Sequence, residues 1–294
     1  MKRHRESAGH GRVNGRCGGW PVAHPTPEAG HPVPDNPGMS SALRLLALET
    51  STDTLSVALG DGAPGGPLWQ HSGPGGAMAS TTLLPLVKQL LDASGWALNS
   101  LDAVVFGRGP GSFTGLRTAC AVAQGLAYGA QDAARPQGLP VLPVDTLLAL
   151  AEEARWNQQH TGQPRPKRIA ALLDARMGEL YVATYACTAA GLSPLAPARL
   201  CAPADLGAHL QADGATLLAG NAFDSYASAL AELPGTRLPA LPTAAALLRL
   251  APGLLAAGAA VAARDALPLY VRDKVAQTTD ERERLRAASA VVTP

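Results

Sequence analysis

The chain has 294 residues, room for two modest domains that each bury a core of their own. Hydrophobic residues make up 47% and charged residues 16%, and a net charge of +1 gives no basic footprint for gripping nucleic acid unaided. The four cysteines lie far apart with no CxxC spacing, and no apolar stretch is long enough to cross a bilayer, so a disulfide scaffold and a membrane span are excluded and a reduced, cytoplasmic setting is expected.

Residues 1–38 hold seven Gly, six Pro and four of the seven His, with few large apolar side chains. Such a segment buries too little surface to offset its ordering entropy, so a disordered extension is expected, with Met39 as an alternative start of translation. The remainder carries a net charge of −1. Leu43 to Leu48 is a continuous apolar run. The polar turn Glu49 to Asp53 and an alternating strand (Leu55, Val57, Leu59) follow, and a third strand is expected at Pro67 to His71. A helix is expected from about Thr81 to Ser94, with its core stripe at Leu83, Leu84, Leu86, Val87, Leu90 and Leu91 and its first turn disturbed by Pro85.

The segment from Ala103 to Ala130 is the most informative. A short strand runs into a glycine-rich turn, Gly107 to Gly115, and then into a helix with no charged residue from Thr118 to Gln131. A surface helix of a monomer normally shows one apolar stripe and one charged face. Here the stripe Gly115, Ala119, Val122, Leu126 is opposed by Thr114, Arg117, Ala121, Gln124 and Tyr128. Two uncharged flanks imply two covers: its own sheet, and a second domain or another chain. A strand at Val141 to Val144 closes the first domain, 39–147.

The second domain, 148–242, opens on a repeat of the first. LLALETSTDTLSVAL (45–59) and AALLDARMGELYVAT (170–184), offset by 125 residues, both read apolar strand, acidic residue, polar turn, alternating strand. Two copies of one mixed α/β unit are expected. Segment 243–272 is expected to pack back on this core, with helices at Thr243 to Ala251 and Gly253 to Arg264 separated by Pro252 and an extended Leu269 to Arg272. Residues 273–294 read as a solvated tail.

The specific phosphate motifs fail: no lysine lies between Lys88 and Lys167 for a Walker A loop, and Ser112 stands where a dinucleotide fingerprint needs glycine. Ser112 is a plausible helix cap, and the glycines are read as allowing close approach to a neighbouring strand. His71, His160 and His209 share no ligand spacing, so no metal site is expected. Cys120 sits in a small-residue helix and is read as a buried packing residue, and Ser51 and Ser112 lack a histidine at a recognisable spacing. Glu49 and Asp174 end the first strand of each half; they face each other across a cleft, or each caps its own turn. Glu49, Ser51, Gly109, Gly111 and Ser112 are the residues expected nearest to any nucleotide.

Four ordered motifs, LLALETSTDTLSVAL, GRGPGSFTGLRTACAVAQGLAYG, LLDARMGELYVATY and PLYVRDKVA, resemble the bacterial TsaB (YeaZ) family over about Leu43 to Ala276. The resemblance implies two RNase-H-like domains of the actin/sugar-kinase/Hsp70 (ASKHA) superfamily. It also implies a non-catalytic role, with no cofactor, in forming threonylcarbamoyladenosine at the adenosine 3′ of the anticodon (position 37) of ANN-decoding tRNAs. The implied partners are the catalytic TsaD subunit, the TsaE ATPase through the complex, and a second copy when alone, with tRNA met only through the complex. The expected interface is Leu83, Leu86, Val87, Leu90, Thr114, Arg117, Cys120, Ala121, Gln124 and Tyr128. Two departures stand out: the first-strand acid, commonly Asp in the family, is Glu49, and a histidine often found in the first helix region is absent near Ala79 and Ser80. The rival readings are a small-molecule kinase, whose adenosine loop would be Ala219 to Ala222, a metalloprotease, and a homodimeric scaffold without a tRNA role.

Overall fold

The computed structural model describes residues 42–213 and 217–272; the expected N-terminal extension and C-terminal tail lie outside them. Five strands, β1 (Leu45–Glu49), β2 (Thr54–Gly60), β3 (Leu68–Pro74), β4 (Ala103–Gly109) and β5 (Val141–Asp145), form the first sheet in the order β3-β2-β1-β4-β5. The first three form an antiparallel meander, each strand reversing the one before, and β4 and β5 run parallel to β1. β1 has a strand on each side and is buried throughout, which its unbroken apolar run requires. β3 forms the edge and is mostly exposed.

The second sheet repeats this plan. β6 (Arg168–Asp174), β7 (Leu180–Thr188), β8 (Gly191–Pro194), β10 (Leu217–Gly220) and β11 (Thr236–Pro239) lie in the order β11-β10-β6-β7-β8, with the short β9 (Arg199–Cys201) paired to β7. With the short β9 left aside, both sheets read 3-2-1-4-5 counted from the start of each half. Glu49 and Asp174 occupy the last position of equivalent strands.

Alternation along the strands sends successive side chains to opposite faces, and each face has its own cover. Helices α1 (Ala79–Ser94) and α2 (Phe113–Gly129) cover the face formed by Leu46, Leu48, Val104 and Phe106. The opposite face, with Leu45, Ala47, Ala103 and Val105, packs against α6 (Ala244–Ala256). α3 (Thr146–His160) lies on Ile169, Ala171 and Leu173 of the second sheet, whose far side carries α4 (Leu206–Asp213) and α5 (Ala227–Leu230). α3 and α6 thus form the layer between the sheets. They are tied by Arg249, which donates to Glu152 at 3.1 Å and also to Glu153, and by the Thr243 hydroxyl bonded to Glu153 at 2.8 Å.

Three helix expectations are corrected. α1 begins at Ala79, before Pro85 rather than delayed by it; the hydroxyls of Thr81 and Thr82 bond back to the Met78 carbonyl at 3.0 and 2.9 Å and support that first turn. α6 continues through Pro252 to Ala256, and no separate helix spans Gly253 to Arg264: beyond α6 the chain makes a bridge from Val261 to Val141 and a short 3-10 turn at Ala263–Asp265. Leu247, Leu248 and Ala251 are buried against the first sheet, and that packing outweighs one missing N–H donor. α3 was not anticipated, although Leu147, Leu150, Ala151 and Ala154 carry the helical spacing that reveals it.

Candidate functional site

Two surfaces gather the residues singled out in the sequence: the outer side of α1 and α2, and a cleft between the two first-strand hairpins.

On α2, Gly115, Ala119, Cys120, Ala123 and Ala127 face the sheet and are buried. Val122 and Leu126 of the expected stripe are only half-buried at its margin. Thr114, Arg117, Ala121 and Tyr128 are exposed, as is Gly125, so the outer side past Arg117 presents small or uncharged groups to solvent. The expected interface set is corrected at four positions. Leu83, Val87, Leu90 and Cys120 belong to this chain's own core, at 1, 2, 7 and 5% exposure, because the i, i+4, i+7 row of α1 is the row that meets the sheet. Leu86 is half-buried, and Leu84, counted in the sequence with the core stripe, is 50% exposed.

Part of the second cover of α2 comes from the chain itself. The segment after the 3-10 turn lies along α2: the Ala266 carbonyl accepts from Cys120 Sγ at 3.2 Å and from Gln124 Nε2 at 3.0 Å. Arg117 Nε donates to the Tyr270 hydroxyl at 3.0 Å. Gln124 is therefore half-buried by intrachain contact. The free outer surface reduces to Thr114, Ala121, Gly125 and Tyr128, with Leu84 and Leu86 of the neighbouring helix.

The cleft has a volume of about 490 Å³. Its walls are Ser51 to Asp53 and the start of α2 on one side, and Leu173 to Met177 with Asn221 on the other; residues 269–272 complete the lining. The glycine turn fits closely over the β1–β2 connection. A methyl group on Gly107 would sit 2.0 Å from Glu49 Oε2, and one on Gly115 would sit 1.9 Å from the Thr50 carbonyl. Ser112 donates its N–H to the Ser51 carbonyl at 2.7 Å and caps α2 through a long 3.5 Å contact from the Gly115 N–H. Gly109 is buried, its N–H bonded to Thr146 Oγ1 at 3.2 Å, while Gly111 and Ser112 line the cleft.

The two first-strand acids do not face each other. Glu49 is fully buried beneath Gly107 and does not line the cleft. Its Oε1 accepts the Ser51 N–H at 2.7 Å, whereas its Oε2 is buried without a hydrogen-bond partner. Burial pushes its carboxyl above the ordinary glutamate range, against the opposing pull of the bonds from Ser51. Asp174 lines the cleft, but its Oδ1 is committed to the Arg176 N–H and the Tyr226 hydroxyl, both at 2.8 Å. Burial, and then the bond to Asp174, push the Tyr226 phenol up to about 12. Each acid caps its own turn. Glu49 is sealed from the cleft and Asp174 Oδ1 is already committed, so the two acids do not act as a carboxylate pair for a nucleotide-bound cation. Among the described residues, no group of three or more His, Cys, Asp or Glu side chains is placed to hold a metal.

The duplicated 3-2-1-4-5 sheets around a central cleft are two RNase-H-like lobes, and the fold is that of the ASKHA superfamily. A family model described as "TsaD: tRNA N6-adenosine threonylcarbamoyltransferase" matches residues 79–278. The chain is 33% identical to the "tRNA threonylcarbamoyladenosine biosynthesis protein TsaB" of Escherichia coli K12, over 80% of this chain and 96% of that protein. It is 41% identical to the Haemophilus influenzae protein of the same name, over 47% of this chain and about half (52%) of that one. The solved structure "YeaZ from Pseudomonas aeruginosa" superposes with a TM-score of 0.65 at 36% identity, covering 78% of this chain and 99% of that one. The chain belongs to the TsaB (YeaZ) family.

Proposed function

We propose that this chain takes part in tRNA threonylcarbamoyladenosine biosynthesis as a non-catalytic subunit that docks a TsaD-like transferase. The relatives named TsaB support the pathway. One observation carries the role: a 17-residue helix on the protein surface exposes Thr114, Ala121, Gly125 and Tyr128 and no ionised group beyond Arg117. Small side chains let a partner helix approach closely, and an interface of standard size buries on the order of 1,600 Å² in total. The commitment of Glu49 and Asp174 to their own turns supports a scaffolding role over independent nucleotide chemistry. Docking then favours the transferase conformation that binds more tightly. The modified site is the adenosine at position 37 of ANN-decoding tRNAs; tRNA and a TsaE-like ATPase are met through the complex, in the cytoplasm. The chain pairs with itself through the same surface when alone.

Ala121→Glu tests the docking face. Ala121 is exposed in the single chain, so the variant is expected to keep its fold and Tm. A carboxylate left unpaired in the interface costs about 3 kcal/mol or more, lowering affinity for the TsaD-like subunit at least about 100-fold. Calorimetric titration with that subunit reads the change, and unaltered affinity refutes the face. Gln124→Glu is a poorer probe, because it sets a carboxylate against the Ala266 carbonyl. Threonylcarbamoylation of tRNA by the transferase, with and without this chain, tests the pathway assignment. ATP turnover by the purified chain alone would favour the kinase reading.

A further inference from the structure

Residues 266–272 touch both lobes. At their first end they lie on the first lobe: Ala266 receives the Cys120 and Gln124 bonds, and the Leu269 N–H donates to the Arg108 carbonyl of β4 at 2.7 Å. Tyr270 packs against Phe113 with ring centres 5.3 Å apart and planes tilted by 39°, and the Arg117 guanidinium lies 3.6 Å above the Phe113 ring while bonding the Tyr270 hydroxyl. At the other end Arg272, only 12% exposed, reaches the β6–β7 hairpin of the second lobe. Its Nη1 lies 2.8 Å from Glu179 Oε2, and its Nη2 donates to the Ala175 and Arg176 carbonyls at 3.1 and 3.3 Å.

That hairpin is held in a conformation L-residues seldom adopt. Arg176 and Met177 have φ of +60° and +56°, and neither is glycine. The guanidinium of Arg272 binds the carbonyls at this bend, so it fixes the hairpin tip. The tip in turn carries Arg176 to Asp53 on the first-lobe hairpin, across the mouth of the cleft.

We propose that residues 266–272 form a strap that latches the two lobes together over the cleft, with Tyr270 as its anchor on α2 and Arg272 as its latch on the second lobe. The anchor sits on the flank of the docking helix, so a partner seated on α2 tightens the latch; this last link rests on the docking reading. Arg272 is a positioning residue, acting through the hairpin.

Hydrogen exchange of the full-length protein tests the strap without any partner. Arg272→Ala is expected to speed exchange of the 174–179 amides about tenfold or more while β1 and β4 keep their protection. Glu179→Gln, a milder change in case the first variant folds poorly, is expected to give a smaller increase at the same amides. Ala121→Glu, off the strap, is expected to give none. Wild-type exchange at 174–179 in folded Arg272→Ala and Glu179→Gln overturns the strap. With the TsaD-like subunit added, the wild-type hairpin is expected to gain protection, and Tyr270→Ala to abolish that gain while binding persists. Binding with no change at the hairpin overturns the link to docking. Failure to bind at all overturns the docking reading, and the exchange of the isolated variants still decides the strap.

Discussion

The two lobes share one strand order and differ in what covers it. The first sheet carries α1 and α2, of 16 and 17 residues, on its outer face; the second carries α4 and α5, of 8 and 4 residues. The equivalent acids differ as well: Glu49 is sealed beneath the glycine turn, whereas Asp174 lies at the cleft with its carboxylate shared by a backbone N–H and a phenol. A duplicated sheet therefore fixes where elements go, and the side chains of each copy decide what the place does. In the first lobe the equipment is a long helix that carries no charge past Arg117. In the second it is a short covering layer and a hairpin gripped by Arg272.

The sharpest test of this contrast lies within α1. Leu83→Ala removes a side chain buried against the first sheet and is expected to cost about 2–5 kcal/mol in urea unfolding. Leu84→Ala, at the adjacent exposed position, is expected to change stability by less than about 0.5 kcal/mol while weakening docking. Equal losses of stability in the two variants would erase the distinction between core face and docking face.

A smaller effect separates the two acids. Asp174→Ala deletes the acceptor of two hydrogen bonds and is expected to cost about 1–2 kcal/mol. Glu49→Gln is expected to act in the opposite sense at neutral pH. The folded-state pKa of Glu49 is raised, so its contribution is fully present below the unfolded glutamate value of 4.5 and is lost as pH rises through the folded value. The wild-type protein should therefore lose stability relative to Glu49→Gln on going from about pH 4 upward. Parallel stability curves for the two proteins across that range would show that Glu49 is not held in its neutral form.

A small effect is expected at the direct bridge between the lobe hairpins. Arg176 and Asp53 are 69 and 80% exposed, so Asp53→Asn is expected to cost less than about 1 kcal/mol, and less again in high salt. A loss as large as that of Leu83→Ala would make this exposed pair, rather than the strap, the principal tie across the cleft mouth.

Much of the fold was legible because local pattern and tertiary role agree. Unbroken apolar runs at Leu45 to Leu48 and Ile169 to Leu173 marked the first strand of each sheet, and the 125-residue offset exposed the duplication. The site was legible only in part. Helical spacing gave α1 a stripe too broad to tell Leu83 from Leu84, since side chains one step apart differ by about 100° around the axis. Pro252 read as a break because an isolated helix suffers the lost donor, while burial of Leu248 and Ala251 against the sheet holds this one together.

Sequence alone determined the five strands of the first sheet, the opening hairpin of the second, the glycine turn and a helix without charge past Arg117, because each is written in residues close along the chain. Only the tertiary structure decided what lies on that helix. Gln124 and Ala266 are 142 residues apart, as Arg117 and Tyr270 are 153, and no periodicity links them. The inward turn of Glu49 was settled in the same way, by a glycine 58 positions further on whose missing side chain leaves room for a carboxyl group. Periodicity specifies which face of an element shuns water; the path of the distant chain specifies what meets that face.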